Sequence, residues 1–160
     1  MTIQDLYESN IKLLMDLNIE YKECLSEPVL SYETAEKVRK EFGLTGTESK
    51  NLFLKAKNGK YYMFVSLQGK RADFDKLKQI IGAKISVASQ DELTAQTGCQ
   101  PYCAIPFGYP KDIGIIIDPE IYKCEKFIYS PGPPDKTIEI ATKDIDSIFN
   151  SLANDKIRVE

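Results

Sequence analysis

A chain of 160 residues with 42% apolar and 28% charged side chains has the size and composition of one soluble globular domain. It contains no histidine, which excludes Ser-His-Asp and Cys-His catalysis and leaves lysine, carboxylates, hydroxyls, thiols and backbone amides for any chemistry. The net charge of −3 conceals a basic block: residues 50–78 carry eight Lys or Arg against two Asp, a local +6 in an otherwise acidic chain.

Apolar spacing predicts a first helix over residues 3–17, capped by Thr2 and carrying Ile3, Leu6, Tyr7, Ile11, Leu14 and Met15 on one face. Tyr21 to Cys24 reads as a strand. Ser31 caps a second helix with Ala35, Val38 and Phe42 on one side, stopped by Gly43. Asn51 to Ala56 and Lys60 to Leu67 flank Lys57-Asn58-Gly59, the strongest hairpin signal in the chain. Asp73 opens a helix closed by Gly82, and Ile85 to Ala88 is a strand. Ser89-x-x-Glu92 is a capping box for a short helix ending at Thr97-Gly98. Ile113 to Asp118, Cys124 to Tyr129 and Thr137 to Ala141 read as strands. Thr142 is expected to cap a last helix, with Ile157 to Val159 as a final strand. Hairpins mixed with helices, without βαβ alternation, predict a single α+β domain spanning residues 1–160, with a mixed, largely antiparallel sheet.

Cys99 and Cys103 are spaced C-x3-C, but a structural zinc site takes four Cys or His ligands. With no histidine, and with Cys24 and Cys124 read as packing residues, no metal and no cofactor is expected. The first residues show no basic stretch leading into an apolar run. No apolar run approaches the roughly 20 residues that span a bilayer. The expected location is the cytoplasm, where disulfides are rare.

From Gly98 to Lys111 periodicity disappears while Gly98, Pro101, Pro106, Gly108 and Pro110 accumulate, and a long irregular segment within a compact domain is usually functional. Three segments carry candidate chemistry. Lys50-Asn51 sets a cation and an amide before Leu52-Phe53-Leu54, at a strand mouth suited to a phosphate or a carbonyl. Gly98-Cys99-Gln100-Pro101 follows a helix and can present consecutive amides as a nest for a developing oxyanion. Ser130-Pro131-Gly132 ends a strand. Taken singly, these read first as a solvated lysine, a connector and a turn. Lys55, Lys57, Lys60, Lys70 and Arg71 form a block able to neutralise phosphates, although a charged hairpin is also simply well solvated.

Taken together and in order, these segments resemble the YbaK/ProX-type editing family. Lys50-Asn51-Leu52-Phe53-Leu54, with Lys57-Asn58-Gly59-Lys60-Tyr61-Tyr62 behind it, is similar to the family's KNLFL…G.YY stretch. Phe74 to Gly82, Gly98-Cys99-Gln100-Pro101 with Pro106-Phe107-Gly108, Asp118, and Ser130-Pro131-Gly132 followed by Thr137 to Ile140 match further segments, so that residues 17–150 are covered.

The resemblance implies a sheet curled into a partial barrel with surrounding helices. It implies metal-independent hydrolysis of the ester between a wrong amino acid and tRNA, chiefly alanine or cysteine on the tRNA for proline, with prolyl-tRNA synthetase as a candidate partner. It assigns Lys50 to phosphate or transition-state charge and the Cys99 and Gln100 amides to the carbonyl. Gly98 and Pro101 shape that loop, and Asn51, Pro106, Phe107, Ser130 and Gly132 serve the substrate. A wall at Gly98 is expected to admit small side chains and exclude proline.

Two positions depart from the family: Tyr102 stands where glycine is frequent. Ser130-Pro131 stands where alanine-specific members carry His-Pro, and so leans toward the Ser-x-Gly of cysteine-specific ones. Two alternatives stay open, a non-catalytic module binding tRNA or a synthetase, and a hydrolase of small esters or thioesters.

Overall fold

A computed structural model describes all residues, 1–160. Five helices and eight strands follow in the order α1 (Ile3–Asp16), β1 (Tyr21–Leu25), α2 (Tyr32–Phe42), β2 (Thr47–Ala56), β3 (Tyr61–Leu67), α3 (Phe74–Ile81) and β4 (Ile85–Val87). After these come α4 (Gln90–Thr97), β5 (Gly114–Ile117), β6 (Lys126–Tyr129), β7 (Lys136–Ala141), α5 (Ile145–Ser151) and β8 (Lys156–Arg158). The expected caps form: Thr2 and Ser89 make full capping boxes with Asp5 and Glu92, and Ser31 and Asp73 each accept an amide from the first turn. No helix is long and apolar enough to cross a membrane.

The strands form one mixed, curled sheet in the order β1-β7-β6-β2-β3-β5-β8, with β4 added along β2. Four ladders are antiparallel (β1–β7, β6–β7, β2–β3, β2–β4) and three parallel (β2–β6, β3–β5, β5–β8). β2 belongs to both halves. Thr47 and Glu48 pair with Phe127 and Ile128 of β6, and from Ser49 onward the strand pairs with β3, placing Lys50 opposite Ser66. Its entry is fixed by buried Glu139 of β7, whose Oε2 accepts the amides of Thr45 (3.1 Å) and Gly46 (2.9 Å).

The core runs between the curled sheet and helices α1, α4 and α5, and the segment 98–111 is threaded into it. Cys99, Ile105, Phe107 and Tyr109 are buried, with Phe107 edge-on to Tyr129 (4.9 Å) and Phe149 (5.9 Å). Burial of such a ring contributes about 1.5–3 kcal/mol over exposure. Buried Asn10 of α1 ties the late loops together: its Nδ2 donates to Leu6 O (3.0 Å), Phe107 O (3.1 Å) and Pro131 O (3.3 Å).

Three local expectations are corrected. β2 begins at Thr47 and not at Asn51, so Lys50 and Asn51 lie inside the strand rather than at its mouth. Thr142 opens a 3-10 turn and makes no helix cap; its hydroxyl faces Cys124 Sγ at 3.4 Å, and α5 starts at Ile145. A 3-10 helix, Pro119–Lys123, capped by Asp118, takes up the chain before β6, so Cys124 precedes the strand instead of opening it.

Candidate functional site

The place where β2 passes from one half of the sheet to the other lies against an open cavity of about 470 Å³. One wall is Glu48 to Leu52 of β2. Facing it are Val29 to Tyr32 and Ala35 at the start of α2, the turn Tyr102-Cys103-Ala104, and Ser130. The N-terminus of α2 gives that wall a partial positive charge.

Half-buried Lys50 is the cation of the cavity. Its Nζ makes one long hydrogen bond, to Lys70 O at 3.5 Å, and no ion pair, so its charge is open to a ligand. Asn51 holds β2 to the opposing turn: its Nδ2 donates to Ala104 O (3.3 Å) and Ser49 Oγ (3.1 Å). Glu48 also lines the cavity. Burial pushes its carboxyl up to about 7; Arg39 opposes that shift, and Glu36 and Glu139 add to it.

The turn at 102–104 is unusual in backbone as well as position. Tyr102 adopts φ +64 in the left-handed region, with its side chain 77% exposed and its amide donated to Gln90 Oε1 at 2.6 Å. An L residue there costs about 1–2 kcal/mol. Tyr102→Gly relieves that cost and adds glycine's backbone entropy of about 0.5–1 kcal/mol. The expected thermal melt is therefore unchanged or up to about 6 °C higher. A fall of several degrees would mean that contacts of the tyrosine ring outweigh the strain.

Neither cysteine of the loop is poised as a nucleophile. Burial pushes the Cys99 thiol up to about 11 and raises that of Cys103 as well, and Cys103 Sγ faces Ser130 Oγ (3.9 Å) and Gly132 O (3.7 Å). Ser130 Oγ is occupied too, accepting Gly132 N at 3.2 Å and donating to Pro133 O at 3.1 Å. No group of three Cys, Asp or Glu is placed to hold a metal ion.

Residues 31–148 match the aminoacyl-tRNA editing domain. The chain belongs to that family. Among solved structures, the hypothetical protein APE2540 superposes with a TM-score of 0.77 at 16% identity, over 92% of this chain and 97% of its own. A protein assigned provisionally as a trans-editing enzyme for prolyl-tRNA synthetase superposes at 0.73 and 16% identity, over 97% and 96%. At these identities the likeness is one of fold. No curated protein sequence matches.

The editing domain brings together only part of what its sequence suggests. Lys50, Asn51 and Ser130 line one cavity, whereas Gly98, Cys99, Gln100 and Pro101 do not. Gly98 ends α4 at φ +83 with its amide on Thr94 O; of the two amides assigned to the carbonyl, that of Cys99 donates to Thr97 Oγ1 at 3.0 Å, while that of Gln100 has no partner within the chain but lies outside this cavity. A Cβ on Gly98 would lie 2.6 Å from Met1 O; this glycine seats the N-terminus and does not line the cavity. Pro106, Phe107 and Gly132 are buried supports behind the site.

The basic block is also partly answered within the chain. Lys55 pairs with Glu92 (3.0 Å), Lys60 with Asp155 (3.1 Å) and Lys70 with Glu120 (3.2 Å), while Lys57 and Arg71 carry no ion pair. Glu48, Tyr32 and the 102–104 turn escaped the sequence reading. The family departure at Tyr102 was the one signal that pointed to the turn.

Proposed function

We propose that this editing domain is an aminoacyl-tRNA deacylase whose substrate end occupies the cavity between β2, α2 and the 102–104 turn. The observation that carries the reading is Lys50: a half-buried cation without an ion pair, on the wall of the cavity and within a family defined by aminoacyl-tRNA editing. The terminal nucleotide supplies a phosphate for Lys50 and for the positive end of α2.

Hydrolysis adds water oxygen to the ester carbonyl and breaks the bond from that carbonyl to the ribose oxygen. The ribose oxygen leaves with a proton from the water, giving free amino acid and a tRNA with its hydroxyl restored. With no histidine, buried thiols and a committed Ser130 hydroxyl, direct attack by water is favoured over an acyl-enzyme. The ester is labile, so positioning and polarisation of the carbonyl suffice. The Ala104 amide, which makes no hydrogen bond within the chain, is the donor best placed in the turn to polarise it.

The test offers the pure protein alanyl-, cysteinyl-, seryl- and prolyl-tRNA carrying the tRNA for proline. Release of one or more of the small amino acids, with prolyl-tRNA spared, supports the reading. Failure to hydrolyse any of the four sinks it and favours a module that only binds tRNA.

Docking of the tRNA body falls to the cations left unpaired. Each neutralised phosphate adds about −0.7 to −0.9 to the slope of log affinity against log salt. Lys57→Ala and Arg71→Ala are each expected to flatten that slope by such an amount, and Lys60→Ala, whose charge Asp155 already answers, by less. Equal effects at all three positions, or an affinity insensitive to salt, would remove the block from the interface.

A further inference from the structure

The cavity holds a charge that deacylation does not by itself require. Glu48 shares the β2 wall with Lys50, yet its carboxylate makes no hydrogen bond and no ion pair with any group of the protein. The charged groups around it are engaged elsewhere. Arg39 of α2 pairs with Glu36 at 2.7 Å, and Glu139 of β7 is spent on the Thr45 and Gly46 amides and faces Lys126 at 3.8 Å. Burial raises the phenol of Tyr32, at the start of α2, and the nearby Glu48 carboxylate adds to that shift; β6 presents no ionisable side chain at Phe127 or Ile128 where it pairs with Thr47 and Glu48. A half-buried carboxylate without a partner is costly to keep unless a ligand brings the opposite charge.

We infer that Glu48 receives the α-ammonium group of the bound aminoacyl ester, so that the domain acts on esters of free amino acids and spares those whose nitrogen is acylated. The inference rests on the deacylase reading and adds a second anchor to it. Lys50 holds the nucleotide end by its phosphate, and Glu48, two residues earlier on the same strand, holds the amino-acid end by its nitrogen. An N-acyl group removes the positive charge and sets an amide carbonyl against the carboxylate. Esters at the end of a growing peptide, or of a blocked amino acid, are then rejected on charge as well as size. Burial keeps much of the Glu48 population protonated near pH 7 in the empty cavity, and an arriving ammonium favours the ionised form.

The experiment compares alanyl- and cysteinyl-tRNA with their N-acetyl derivatives, using the whole protein and Glu48→Gln. The parent is expected to prefer the free amines at least tenfold in kcat/KM. Glu48→Gln is expected to lose at least tenfold on the free amines and to bring each pair within threefold. The ratio of free to acetylated rates should also rise in the parent as pH increases from about 5 toward 7, below the range where the α-ammonium loses its own proton, and stay flat over that range in the variant.

Folding gives an independent control. Ionisation of Glu48 is opposed in the native state, so the parent carries a penalty that is absent below its ordinary value of 4.5, grows between 4.5 and about 7, and is full above. Glu48→Gln should therefore melt no lower than the parent at pH 8. A parent that hydrolyses free and acetylated esters alike, or a variant that keeps the tenfold preference, overturns the role of Glu48 and leaves the deacylase reading standing. A parent inactive on every ester overturns both.

Discussion

Lys50→Ala is expected to lower single-turnover deacylation at least tenfold while the protein melts within about 2 °C of the parent. The two halves of that result have separate causes. In the free protein the Lys50 ammonium makes one marginal contact, 3.5 Å to Lys70 O, so truncating it removes little that holds the fold. In the substrate complex proposed above the same ammonium meets a phosphate or the charge of the transition state, a contact worth roughly 1.5–3 kcal/mol, or about ten- to a hundredfold in rate. Lys50→Arg keeps the charge but not its compact shape, and an intermediate loss is expected. Activity of Lys50→Ala within twofold of the parent would place the chemistry elsewhere.

The largest effect on stability is expected at Gly108. It adopts φ +103, which L side chains rarely take, and a Cβ there would stand 2.3 Å from Asn10 Nδ2 and 3.1 Å from its Cγ. Asn10 cannot yield easily, because that nitrogen ties α1 to the Phe107 and Pro131 carbonyls. Gly108→Ala therefore combines backbone strain with the loss of buried hydrogen bonds, a cost of about 3 kcal/mol or more. At about 2–4 °C per kcal/mol, the thermal midpoint falls by roughly 6–12 °C. Gly59→Ala is the matched control. Its φ of +88 is also strained but its Cβ would meet nothing within 4 Å, so its loss is confined to strain of about 1–2 kcal/mol. Equal losses at the two positions would show that the Asn10 hub contributes nothing.

The parts legible in the sequence were those fixed by near neighbours. Caps at Thr2, Ser31, Asp73 and Ser89, stops at Gly43 and Gly82, and the turn at Asn58-Gly59 are local chemistry, and each forms. The start of β2 was hidden because Thr47-Glu48-Ser49-Lys50 has no strand-like apolar pattern. Thr47 and Glu48 are extended because distant Phe127 and Ile128 pair with them in parallel, and Ser49 and Lys50 because Leu67 and Ser66 of β3 pair with them.

The loop after α4 was legible only in part. Gly98 suggested a nest, but its left-handed backbone closes a helix and its amide is used there. The turn that faces the cavity is made by Tyr102, whose φ of +64 was signalled only by the family's frequent glycine at that position. Glu48 was invisible because no local pattern placed it in a strand, and only the curl of the sheet encloses it.

The central claim, that the acylated end of tRNA sits between β2, α2 and the 102–104 turn, is tested most directly by amide hydrogen exchange. The probe is a hydrolysis-resistant, amide-linked alanyl-adenosine 5′-phosphate. Slower exchange is predicted at residues 29–35, 48–52 and 102–104, with little change at residues 98–101. Protection centred on residues 98–101, or on the separate cavity formed by Lys70, Arg71 and Lys76, with residues 48–52 unaffected, would contradict it.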